Sequence, residues 1–199
     1  MPTGVVLRDP RAQLFAAAER VLLRDGPEAL TSRSVTAEAG VAKGVLHRCF
    51  ADMEEFLTEL VRDRAANISW LGETLAIRAE AEPVVSLVCD GLTEIFQPAT
   101  LALIGLVAVR SRVRERLQTG SSLPPVLAEA VAALSGCLAA EQNVGRLRHD
   151  AEPGALAFAL VGTGHLLFAG ELGGLPDRSA VEEVVEGLLV GALPGAPEI

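Results

Sequence analysis

The feature that most constrains this chain is a twenty-residue stretch, TSRSVTAEAGVAKGVLHRCF, running from Thr31 to Phe50. An alanine-containing helical run ends at Ala39-Gly40-Val41, and Gly40 stands where a chain leaving a helix commonly needs positive φ. Val35 and Ala39 are four residues apart before the turn and Leu46 and Phe50 four apart after it, with Val41 between them, which predicts one apolar inner face shared by two short helices. Leu46 and Phe50 are one turn apart and are expected to point inward, with Cys49 beside them. That assignment leaves Lys43, Gly44, Val45 and His47 on the outer side of the second helix. Two short helices joined by a glycine turn are the parts of a helix-turn-helix.

What such a hairpin does depends on its outer residues. Thr31, Arg33, Ala42, Lys43, Gly44, Val45, His47 and Arg48 are the candidate contacts to DNA, because they lie where a groove could reach them. Small residues at 42 and 44 would let a backbone approach the duplex. Spacing alone equally fits a helical hairpin in a core, in which Gly40 only caps a helix and the basic residues are solvated.

A longer match adds to this reading. RAQLFAAAERVLLRDGPEALT, VTAEAGV and KGVLHRCFADMEEFL, between Arg11 and about Leu60, resemble in order and spacing the DNA-binding domain of TetR-family transcriptional regulators. The resemblance implies an all-α fold: an N-terminal three-helix domain containing the helix-turn-helix, taken as residues 1–51, and a C-terminal helical domain for effector binding and dimerisation, residues 52–199. It also implies binding to double-stranded DNA, homodimerisation and response to a small-molecule effector. The chain departs from the family pattern at contact positions. His47 stands where the family usually has Tyr, Val45 where it has Thr or a similar polar residue, and Met53 where it has a phosphate-binding Lys. Each lost phosphate contact weakens binding and flattens its salt dependence.

Composition frames the rest. The 199 residues suffice for one large or two smaller domains. Half are hydrophobic and none is Tyr, and the prominence of Ala, Leu and Val favours helix. A net charge of -9 ordinarily argues against a nucleic-acid binder. Its distribution softens that objection: residues 1–64 hold 9 Lys/Arg and 10 Asp/Glu, residues 65–199 hold 8 and 16. Cys49, Cys89 and Cys137 form no CxxC spacing, so neither a disulfide framework nor a zinc site is expected. No metal, cofactor or enzymatic role is expected either, since no nucleophile elbow, P-loop, HExxH or dinucleotide turn is present. With no secretory leader in MPTGVVLRDP, a cytoplasmic location is expected.

Downstream helices are predicted over Val84–Phe96, Ala99–Val109, Ser111–Leu117 and Pro125–Glu141, with two more after Glu152-Pro153 and Asp177. A long helix from Asp52, capped by Asp52 and Glu55, precedes them. Ala155–Gly170 carries no formal charge but is short for a bilayer span, and is expected to be an interface helix, with no membrane partner. GRLRHDAEPGALAFALVG resembles the lead into the first dimer helix of TetR-family proteins. Val181, Val184, Val185, Leu188, Leu189 and Ala192 make an apolar stripe on the final helix, so homodimerisation through the last two helices is expected, as a four-helix bundle. The effector would lie among Trp70, Cys89, Phe96, Cys137, Phe158 and His165, apolar residues mostly with a polar handle, and an apolar effector fits them. Arg110, Arg112, Arg114 and Arg116 are expected to be a solvated face. The competing function is a small-molecule-binding or protein-interaction dimer whose DNA binding has weakened or been lost.

Overall fold

The computed structural model describes residues 9–79, 81–118, 123–170 and 176–195. All regular structure among them is helical, as the composition leads one to expect: ten α-helices with short 3-10 turns at Pro27–Ala29 and Val190–Ala192. The helices are α1 (Pro10–Asp25), α2 (Ser32–Glu38), α3 (Gly44–Cys49), α4 (Met53–Arg78), α5 (Val84–Ile95), α6 (Pro98–Val109), α7 (Ser111–Leu117), α8 (Pro125–Asn143), α9 (Pro153–Phe168) and α10 (Arg178–Leu189). They divide into two compact units. The first takes its residues from Met1–Val61 and Ala102–Gln118, the second from Arg62–Leu101 and Thr119–Ile199. The first unit therefore includes the opening turns of α4 and a segment from mid-chain, a division other than a single cut between 51 and 52.

In the first unit, α1 starts where the Asp9 carboxylate accepts from the amides of Arg11 and Ala12, with Pro10 in the first turn, and it stops at Gly26, φ 81°. Its buried face, Leu14, Phe15, Ala17, Ala18, Val21 and Leu22, packs against α2 and α3. Phe15, Phe50 and Phe56 form a ring cluster with centroids 5.0–5.7 Å apart. Edge and tilted contacts of this kind suit the ring quadrupoles. Val113 and Leu117 of α7 are buried as well.

In the second unit, α8 packs on α9 and on α5, while α10 packs on α5 and α9. Close approach depends on small residues. A Cβ added at Gly72 of α4 would come 2.7 Å from the Cβ of Ala133 on α8, and one at Gly164 of α9 would come 3.0 Å from Leu92 and Phe96. The α10 stripe is largely used within the chain: Val181, Val185, Leu189 and Ala192 are buried, Val184 and Leu188 half-buried. On α9 a second apolar face, Ala155, Phe158, Gly162, Leu166 and Ala169, is exposed. Among the described residues no single helix is long and apolar enough to cross a membrane.

Candidate nucleic-acid interface

Local chemistry sets the hairpin geometry. Thr31 is the N-cap of α2: its hydroxyl accepts from the Ser34 amide, and the Ser34 hydroxyl in turn accepts from the Thr31 amide at 3.0 Å, a reciprocal capping box. At the other end Gly40 has φ 66°. Its N–H donates to Ala37 O at 3.1 Å and the Val41 N–H to Thr36 O at 3.0 Å. Those two bonds are the Schellman pattern, and its left-handed residue is glycine because a Cβ would crowd the backbone there. The Gln13 amide anchors the turn by donating to Ala39 O at 2.8 Å.

The second helix, α3, is held at its exit by α1. The Arg11 guanidinium lies 4.4 Å from the Phe50 ring centroid and donates to the Cys49 carbonyl. The inward residues of α3 are Val45 and Leu46, with Cys49 half-buried and Phe50 buried just beyond. Val45, expected among the outer contacts, is 5 % exposed. It belongs to the core because positions 45, 46 and 49 share one helical face about 100° wide, with Phe50 buried next to it. Thr31, Arg33, Ala42, Lys43, Gly44, His47 and Arg48 are exposed, and a Cβ on Gly44 would meet nothing within 4 Å. Met53 is half-buried at the start of α4.

The charges explain how an acidic chain presents a basic surface. Glu38 is occupied by Arg20 at 2.8 Å and Arg24 at 2.9 Å, and these guanidinium hydrogen bonds hold its carboxyl below the usual glutamate range. Arg11 pairs with Glu59. Among the described residues no carboxylate is ion-paired with Arg33, Lys43, His47 or Arg48. Four cationic or protonatable side chains on α2, α3 and their turn thus keep their donors for an anion.

Residues 14–60 match the sequence model of the family described as bacterial regulatory proteins, tetR family. The N-terminal domain belongs to the tetR family. This tetR-family domain carries the exposed set just described. Solved structures with a similar fold include a γ-butyrolactone receptor (ArpA-like protein), 20 % identical, covering 94 % of this chain and 89 % of that one with a TM-score of 0.65. SmeT, the repressor of the Stenotrophomonas maltophilia multidrug efflux pump SmeDEF, is 17 % identical over 96 % of this chain and 94 % of its own, with a TM-score of 0.65. The reduced form of E. coli NemR is 18 % identical over 90 % and 95 %, with a TM-score of 0.67. None of the curated proteins matches the chain in sequence.

The six candidate effector residues do not form one site. Phe96 is buried and stacks on Phe168 at 5.8 Å, with His165 at 5.9 Å. Cys89 and Cys137 are buried thiols, pushed by that burial to about 11 and about 12. Trp70 and Phe158 correct the expectation of ligand walls: they are 69 % and 58 % exposed, on outer faces of α4 and α9. An open groove of about 270 Å³ runs between α4 (Ser69, Gly72, Glu73, Ala76) and α8 (Glu129, Ala133). None of the six lines it. The missed signal is the pairing of small residues on α4 and α8, which leaves room beside a close helix crossing.

Of the arginine row, Arg112, Arg114 and Arg116 are exposed, as expected of a solvated face, and Arg110 is half-buried. Arg110 donates to the Pro27 carbonyl at 3.1 Å, and Arg116 makes two parallel bonds of 2.8 Å to the Asp52 carboxylate.

Proposed function

We propose that the chain is a homodimeric, ligand-responsive transcriptional regulator that binds a palindromic operator through α2 and α3 and is released from it by a small apolar effector. The observation that carries this reading is the exposed set Arg33, Lys43, His47 and Arg48 on a tetR-family helix-turn-helix, with the neighbouring acids occupied by other arginines. Phosphate contacts from such side chains set register and affinity, while a helix in the major groove reads base edges. The exposed apolar face of α9, containing Phe158 and Leu166, supports pairing with a second copy, which removes it from water. Two reading helices one duplex turn apart then match a two-fold operator.

Release follows from differential affinity. An effector bound in the helices beyond residue 61 acts by preferring the conformation that fits the operator poorly, and its effect is capped by that preference. Fold relatives include a γ-butyrolactone receptor and a SmeT–triclosan complex, in keeping with an apolar effector class for this chain.

Fluorescence anisotropy against duplex from the region upstream of the gene tests the reading. Tight binding at low salt, lost on Lys43→Ala, is expected. Binding no tighter than to random duplex would leave the chain an effector-binding or protein-interaction dimer instead.

A further inference from the structure

Arg110 and Arg116 lie at the two ends of α7, six positions and so about 9 Å apart along the helix. Their partners are far away in sequence, 83 and 64 residues, and both belong to the first unit. Pro27, held by Arg110, opens the 3-10 turn that leads through Leu30 to Thr31, the cap of α2. Asp52, held by Arg116, follows the α3 cap Phe50 by two residues, and it also caps α4 by accepting from the Glu55 amide at 2.6 Å. One short helix thereby grips the entry to the helix-turn-helix and its exit. The exit grip is directional. Two parallel guanidinium–carboxylate bonds fix orientation as well as distance. Both partners are more than two-fifths exposed, so the pair adds little to stability and its main effect is geometric.

We infer that Arg116 is a positioning residue for DNA recognition: through Asp52 it sets the angle at which α3 leaves the scaffold, without itself touching DNA. This rests on α3 being the reading helix. A loosened joint costs affinity where base edges must align, at the selected sequence. It leaves untouched the phosphate attraction that any duplex offers.

The test uses the full chain and two probes, a duplex enriched by the wild-type protein from a random-sequence pool and an unselected duplex of equal length. Arg116→Gln removes the grip. Asp52→Ser removes it while keeping a capping oxygen on α4. Each is expected to weaken the enriched duplex about tenfold, and the double variant no further, as for two residues of one interaction. Affinity for the unselected duplex and the slope of log affinity against log salt are expected to stay as in the wild type. Enriched-duplex affinity within about twofold of wild type, or losses that multiply in the double variant, would overturn the inference. So would a salt slope reduced by about one, which marks a direct phosphate contact. A wild-type chain that enriches no sequence while folding normally would instead overturn the reading of α3 itself.

Discussion

The Nε of Arg146 lies 2.6 Å from a carboxylate oxygen of Glu141, a side chain with no solvent exposure at the end of α8. The Nη2 of the same guanidinium reaches the other oxygen at 3.2 Å, and the Arg146 amide closes on the Glu141 carbonyl at 2.9 Å. A buried carboxylate is tolerable only while this partner stays.

Arg146→Met is therefore expected to destabilise the second unit by roughly 3 kcal/mol, toward the low side for buried pairs because Arg146 keeps contact with water. The double variant Glu141→Gln/Arg146→Met is expected to recover most of that loss, since no charge is left stranded. Urea unfolding followed by circular dichroism at one fixed protein concentration reads both. Equal losses in the single and double variants would contradict the account.

Val45→Thr bears on the α3 register. Because Val45 faces the core, the substitution buries a hydroxyl and is expected to cost about 1–2 kcal/mol of stability, with no gain in DNA affinity. Lys43→Ala is expected to show the opposite signature, weaker DNA binding with stability nearly unchanged. A Val45→Thr variant that binds DNA more tightly at full stability would put that residue back on the outer face.

Asp52 makes an acid-side prediction. Its carboxyl is held at about 2, against an ordinary 3.8, chiefly by hydrogen bonds from Arg116 and by the Glu55 amide. A depressed carboxyl stabilises the fold above its unfolded pKa, and the contribution fades as pH falls through the folded value. The stability difference between wild type and Arg116→Gln, small for so exposed a pair, is thus expected to be constant above about pH 5 and to shrink between pH 4 and pH 2. Thermal melts across that range, read by circular dichroism, check it. A difference that grows on acidification would exclude the pair as its source.

Much of the reading head was legible because its signals are local. Gly40, the apolar spacing of Val35, Leu46 and Phe50, and the Asp52 cap each act within a few residues of themselves. The start of α8 at Pro125 follows from its paired prolines for the same reason. Val45 was misplaced because a six-residue helix offers too few positions to fix its phase. The adjacent pair Val45-Leu46, repeated one turn on by Cys49-Phe50, was the cue to a wider buried face. Trp70 and Phe158 show the limit of residue type as a guide, since large apolar side chains on outer faces look no different in sequence from core. The Arg116–Asp52 joint leaves no local trace at all, because alternating arginines on a short helix look solvated until a distant carboxylate is brought to them.

The mid-chain segment within the first unit has a consequence for biosynthesis. Leu103, Leu106, Val107, Val113 and Leu117 are all buried and all lie in Ala102–Gln118. When the ribosome has released residue 61, the first unit still lacks these buried apolar residues. At about 5–20 residues per second, the missing stretch arrives roughly 3–11 s later. Until then the core of the first unit is incomplete, and its completion waits on translation of a segment outside the helix-turn-helix.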